Sequence, residues 1–173
     1  MRLLAPIVIA IAAAAAPAGA FAADIMTLPM GTGSVPVADG TFDWSGFYAG
    51  VYGATRSSPL YGLEYGLGLD VGTTAHLQMV LVGGEVAVEG FSGGTAYVQG
   101  LGKLGLVLGD NVAAYALTGV GSDLGLQADA LVGGGIELAI DNNVSVDARY
   151  LHGFAVQGAN PKDQVTVGAN FHF

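Results

Sequence analysis

The sequence predicts an all-β fold, an eight-stranded antiparallel up-and-down transmembrane β-barrel, and three observations carry that prediction. Apolar side chains recur at every second position through eight segments, the spacing of a strand with one apolar face. Turn-forming residues fall between the segments. Only 11% of the residues are charged against 52% hydrophobic, and the 29 glycines lie inside the alternating segments without the every-third-residue period of collagen.

The first 22 residues are read separately. Arg2 supplies a positive start, Leu3 to Ala16 is apolar, and Ala20-Phe21-Ala22 is a small-x-small cleavage pattern, so 1–22 is expected to be a secretory signal peptide. The alternative, an anchoring helix, falls short of the ~20 apolar residues a bilayer needs. Residues 23–43 mix Pro, Gly, Thr and Asp without period and read as a flexible periplasmic leader. The barrel is assigned to 44–173. Without residues 1–22 the formal charge passes from −9 to −10, since Arg2 is the one ionisable side chain removed. That balance excludes clustered Lys and Arg, and with them nucleic acid as a partner. The chain has no cysteine, so an exported protein would rely on its fold or its solvent for stability.

The eight segments are 47–56, 61–70, 75–90, 95–109, 112–121, 125–140, 144–153 and 164–173. The first, FYAGVYGATR, has aromatic residues on both faces, and either orientation is open. The second sets Tyr61, Leu63, Tyr65, Leu67 and Leu69 against Gly62, Glu64, Gly66, Gly68 and Asp70. In the third, Leu77, Met79 and Leu81 hold the odd positions, then Val86 and Val88 take the even ones opposite Glu85 and Glu89. A bulge at Gly83-Gly84 accounts for this slip, and so does a register with Leu77, Met79 and Leu81 inside. The fourth places Val98, Leu104, Leu106 and Leu108 opposite Gln99 and Lys103. In the sixth an apolar even face opposes Gln127, Asp129 and Glu137. The seventh opposes Val144, Val146, Ala148 and Tyr150 to Ser145, Asp147 and Arg149. The eighth opposes Val165, Val167, Ala169, Phe171 and Phe173 to Gln164, Thr166, Gly168, Asn170 and His172. Expected turns are RSSPL 56–60, DVGTT 70–74, FSGG 91–94, GDN 109–111, SD 122–123 and DNN 141–143. Tight connections make a meander, and eight strands can close it without an open edge.

Alternation alone does not say which face is wet. A soluble surface needs roughly a quarter to a third charged residues, and neither face has them. The uniformly apolar faces therefore point to lipid and the small or charged ones to the interior. A soluble periplasmic barrel of the lipocalin kind is the competing arrangement.

The stretches DWSGFYAGVYGA at 43–54, LVGGEVAVEGF at 81–91 and VTVGANFHF at 165–173 resemble the OmpA-like, porin-family outer-membrane barrels of proteobacteria, over about residues 44–173. The resemblance implies a bacterial outer-membrane location and outer-membrane lipid as surroundings. It also implies that both chain ends are periplasmic and that outer loops fall near 56–60, 91–94, 121–125 and 153–163. The closing strand is similar to the signal read by the outer-membrane assembly machinery, with Val165, Val167, Phe171 and Phe173 in its positions. Three of the four outer loops are short, which disfavours a large receptor-binding surface.

The expected interior polar network comprises Glu64, Glu85, Gln99, Lys103, Gln127, Asp129, Glu137, Asp147 and Arg149. Buried charges must be paired or solvated, and acids outnumber cations, so some acids are expected to be hydrated or protonated. Such a network either plugs the barrel or lines a narrow path for small solutes or ions. No other chemistry emerges. Gly100-Leu-Gly102-Lys-Leu-Gly105 matches a dinucleotide fingerprint but lies within a strand rather than at a strand-to-helix turn. His76, His152 and His172 lack metal-ligand spacing, no nucleophile motif is present, and neither a cofactor nor a small-molecule ligand is identifiable. The sequence thus predicts a non-enzymatic structural barrel contributing to envelope integrity and surface properties.

Overall fold

The computed structural model describes residues 42–94, 96–124, 128–156 and 161–173. The expected signal peptide and nearly all of the leader lie outside them. Eight strands follow in order: β1 Gly46–Ser58, β2 Gly62–Leu77, β3 Val80–Phe91, β4 Ala96–Leu108, β5 Val112–Asp123, β6 Ala128–Asp141, β7 Val144–Ala155 and β8 Lys162–His172. Each pairs antiparallel with its sequence neighbour, and β8 returns to β1, closing the barrel. At 11 to 16 residues the strands meet or exceed the ~9–11 a tilted strand needs to cross a bilayer.

The rhythm of the chain end has a structural reason. Phe173 exchanges two backbone hydrogen bonds with Phe47, at 3.0 and 3.3 Å. The last residue thus completes the ladder that satisfies both edge strands, as closure in lipid requires.

The apolar face points outward on every strand. Leu67 is 77% exposed, Val167 63% and Ile136 61%, while Lys103 and Asp129 on the opposite faces are 3% and 0% exposed. This is the inverse of a soluble binding barrel. β1, whose orientation the sequence left open, turns Tyr48, Tyr52, Ala54 and Arg56 inward and Phe47 and Val51 outward.

Two expectations are corrected. DVGTT is not a turn: β2 runs through it to Leu77, and Asp70 and Thr74 point inward. The apparent phase slip in 75–90 is neither a bulge at Gly83-Gly84 nor an interior Leu77-Met79-Leu81 row. The β2–β3 register is unbroken past the glycine pair, and the chain reverses at Gln78-Met79. Leu77 and Met79 therefore lie outside, and only Leu81 lies inside. Among the described residues the one register shift between strands is between Ala139 and Asp141, where β6 meets β7.

The end of the barrel that holds Phe173 and the turns at 78–79, 109–111 and 141–143 is capped from within. Phe42 and Trp44 pack edge to face at 4.6 Å and sit with Leu81, Val107 and Ala113. Phe42, read as leader, thus belongs to the packed barrel.

Candidate functional site

The barrel interior is where the charged side chains gather. All four Lys and Arg after residue 22, namely Arg56, Lys103, Arg149 and Lys162, are buried there. Eight carboxylates accompany them: Glu64, Asp70, Glu85, Glu89, Asp123, Asp129, Glu137 and Asp147. The alternation of each strand selects these residues, and side chains from strands far apart in sequence meet across the narrow lumen.

Arg149 is the centre of one tier. Its guanidinium contacts Asp70 at 3.2 Å, Glu85 at 2.5 Å, and Asp147. Five donors in a planar fork make arginine able to hold three carboxylates at once. Lys103 lies beside it, with Nζ 3.4 Å from Glu137 Oε2 and above the rings of Tyr48 and Tyr115 at 4.8 and 4.3 Å. A second tier sits toward the far end. Arg56 joins Glu64 at 2.9 Å and Asp123 at 3.0 Å and lies 3.9 Å over the Phe91 ring. Lys162 joins Asp123 at 2.6 Å and Asp129 at 2.8 Å.

Glu89 stands between the tiers. Its Oε1 accepts hydrogen bonds from Tyr52 Oη at 2.7 Å, Gln99 Nε2 at 3.1 Å and Gln164 Nε2 at 2.5 Å. Apolar side chains fill the rest, chiefly Leu101, Leu117, Leu131 and Leu151 around Tyr115. The interior is therefore a mixed core rather than the uniformly polar one that strand alternation suggests.

A recurring device positions the acids. Tyr52 faces Gly68 on β2, which faces Glu89 on β3, and the phenol reaches across the glycine to the carboxylate. Tyr48, Gly72 and Glu85 repeat this four residues along each strand, with a hydrogen bond of 2.6 Å. Tyr97 reaches over Gly121 to Asp129 at 3.0 Å. Each glycine lies beneath an aromatic ring that a Cβ would strike.

Of the residues expected inside, Glu64, Glu85, Gln99, Lys103, Asp129, Glu137, Asp147 and Arg149 all point inward and are buried, and Gln127 lies outside the described residues. The structure adds Arg56, Asp70, Glu89, Asp123, Lys162 and Gln164. Arg56, Asp70, Asp123 and Lys162 sit at segment ends read as turns or loops. Carrying the two-residue rhythm further would have found them, since Arg56 continues Tyr52 and Ala54, and Lys162 precedes Gln164 and Thr166 in phase. Val165, Val167, Phe171 and Phe173 all lie on the outer face, with the Phe171 and Phe173 rings stacked at 6.3 Å.

His172, for which the sequence shows no metal-ligand spacing, belongs to a buried hydrogen-bond cluster. Its Nε2 lies 2.9 Å from Ser145 Oγ and 3.3 Å from Glu137 Oε1, and Ser145 donates to the same carboxylate oxygen at 2.6 Å. A charge relay needs the serine and the acid on opposite ring nitrogens. Here both crowd one nitrogen, so the trio is a hydrogen-bond cluster rather than an activated nucleophile. Among the described residues no group of three or more His, Cys, Asp or Glu is placed to hold a metal.

No protein-family model matches the chain, and no curated protein matches it. Solved structures do. The barrel is similar to Neisserial surface protein A, with a TM-score of 0.55 and 15% identity over 75% of this chain and 98% of that one. It is similar to Ail, the attachment invasion locus protein of Yersinia pestis, with a TM-score of 0.55 and 18% identity over 75% and 97%. A de novo designed transmembrane β-barrel gives 0.55 and 10% identity over 73% and 95%. At such identities the likeness is one of fold. Together with the apolar exterior it defines the class by fold: a small closed eight-stranded β-barrel of the transmembrane kind that these proteins share.

Proposed function

We propose that this chain is a structural outer-membrane barrel that contributes to envelope integrity and surface properties, and that its interior is a closed network rather than a conduit. The observation that carries this reading is Arg149 on β7, which binds Asp147 of its own strand and reaches across the lumen to Asp70 on β2 and Glu85 on β3. An eight-stranded barrel has an interior just wide enough for side chains to fill, and the Phe42-Trp44 cap adds a second closure at one end. Export through residues 1–22 and recognition of Val165, Val167, Phe171 and Phe173 by the outer-membrane assembly machinery complete the proposal. The outward placement of those four side chains supports it, since they form one apolar edge on the closing strand. A non-enzymatic role is favoured by the Ser145-His172-Glu137 geometry.

A narrow cation path is the second reading, favoured by one feature: eight interior carboxylates against four Lys and Arg. Planar-bilayer recording of the purified protein separates the two. The structural barrel gives no steady conductance, and large stable openings overturn it.

A further inference from the structure

We propose that the outer face of the barrel binds a lipid whose headgroup ends in a primary ammonium, with the headgroup at Asp163 and His152 and a chain in the trough along β1. Asp163 on β8 pairs directly with His152 on β7 and with Ser57 on β1. Three polar side chains thus stand in one row across three strands of a largely apolar face, at the end of the barrel opposite Phe173.

The row is prearranged. Tyr150 Oη donates to Asp163 Oδ1 at 2.6 Å, and His152 Nδ1 lies 2.8 Å from the same oxygen. The Phe154 ring meets the imidazole edge to face at 4.5 Å. With the Nδ1 proton committed to the carboxylate, a neutral His152 presents Nε2 as an acceptor, and Asp163 Oδ2 is a second. The side chains of His152 and Asp163 are 29% and 55% exposed, so both reach their surroundings. All four Lys and Arg after residue 22 are buried in the lumen, which leaves this carboxylate none of them as a partner. Two acceptors beside a hydroxyl, carrying one negative charge, complement a cation rich in N–H donors. A primary ammonium has three such donors, and a quaternary ammonium of the same charge has none.

The same face supplies a place for the chain. Ala49, Val51 and Gly53 form the floor of a trough along β1, and Leu67 and Leu69 on β2 and Val167 on β8 stand beside it. A Cβ on Gly53 would meet nothing within 4 Å, so the floor is open there. Gly53 pairs with Val167, and four residues farther along both strands Ser57 pairs with Asp163. That separation is ~13 Å at ~3.3 Å per residue, a span for the phosphate and glycerol that join an ammonium to its chains. Acceptors at one end and an apolar trough leading from them select an amphiphile rather than a soluble amine. The site rests on the apolar exterior facing lipid and is independent of whether the barrel conducts.

The test refolds the full exported chain into vesicles of phosphatidylcholine alone and of phosphatidylethanolamine and phosphatidylcholine mixed equally, with matched acyl chains. The barrel is then released into mild detergent and its retained lipid identified by native mass spectrometry. Phosphatidylethanolamine is expected to be retained over phosphatidylcholine by roughly fivefold, the upper end for a partly exposed ion pair. Asp163→Asn brings the ratio to that of the mixture, and His152→Phe, independently, reduces it, while Asp110→Asn, in an exposed turn at the other end, preserves it. Gly53→Leu, which fills the trough floor, lowers retention of both lipids. Heat-dependent gel mobility after refolding into phosphatidylcholine alone reports insertion without regard to the headgroup. An inserted parent that retains both lipids equally, a preference kept in full by either folded variant of the row, or full retention in Gly53→Leu overturns the site and leaves the lipid-facing exterior intact. A parent that inserts into neither vesicle overturns that exterior and the site with it.

Discussion

The ring of Tyr52 lies over Gly68, so closely that a Cβ on the glycine would collide with the phenol's Cζ, Cε2 and Oη. The contact joins two levels of structure. Gly68 gives the ring a seat, and the seated ring carries its hydroxyl to Glu89 at 2.7 Å. Gly68→Ala must displace the ring and break that bond, which costs ~1–3 kcal/mol for overpacking and about 1 kcal/mol for the hydrogen bond. Gly53, on the lipid face, has nothing within 4 Å of its would-be Cβ, so Gly53→Ala is expected to be neutral or to stabilise by ~0.5–1 kcal/mol through lost backbone freedom. Equilibrium urea unfolding in lipid vesicles measures both. Equal effects would contradict the assigned faces.

The same contact explains what the sequence made legible and what it hid. Period-two alternation identified eight strands and, with composition, the faces of most of them and most of the interior charges, but left the orientation of β1 and the register of β3 open. Asp70-Val71-Gly72-Thr73-Thr74 reads as turn chemistry, yet Gly72 is the seat of the Tyr48 ring in mid-strand. A glycine that yields to a ring three-dimensionally looks the same in sequence as one that bends the chain. The true reversal, Gln78-Met79, was invisible for the opposite reason, since it contains no Gly, Pro, Asn or Asp. Two partners of Arg149, Asp70 and Glu85, were equally hidden, for β2 and β3 meet β7 only once the barrel closes, whereas Asp147 stands two residues away on the same face of the same strand.

Gln78 makes that reversal with φ at 61°, a left-handed conformation that is unfavourable for a glutamine. It is exposed, so its side chain has no packing to lose. Gln78→Gly is expected to stabilise by about 0.5–1 kcal/mol, the left-handed cost being relieved and partly offset by glycine's entropy. Gln78→Val, branched at Cβ, destabilises. Urea midpoints for the two variants on opposite sides of the parent check this.

Depth in the membrane is readable from the lipid face. Leu69 is 58% exposed near the middle of β2, and Leu106 is 48% exposed two residues before β4 ends. Leu69→Arg places a charge near the bilayer centre and costs ~2–4 kcal/mol, whereas Leu106→Arg near the rim costs ~0–1 kcal/mol. Equal costs in vesicle unfolding would place the hydrocarbon band elsewhere along the barrel.

Recognition and stability are separable at the chain end. Phe173→Ala keeps both backbone bonds to Phe47 and removes only an outward ring. Insertion in cells is expected to fall several-fold, while refolding into micelles, which needs no assembly machinery, proceeds as in the parent. Unchanged insertion in cells would leave Phe173 as an interfacial anchor alone.

Lys103 offers the sharpest test of the closed interior. Its ammonium lies between the Tyr48 and Tyr115 rings and reaches Glu137, in the same stretch of lumen that Arg149 spans. Lys103→Ala deletes a four-carbon stem and a positive charge together, so space and net negative charge increase at one level. Water and cations then have reason to enter, because buried carboxylates left without a counter-charge must be solvated. The parent protein is expected to show no steady current in a planar bilayer, and the variant a small current that prefers cations over anions. Lys103→Met keeps the stem's volume while removing the charge, and should conduct less than Lys103→Ala. Anion preference in the variants would refute the charge argument, and a porin-sized current from the parent would replace the structural barrel with a channel.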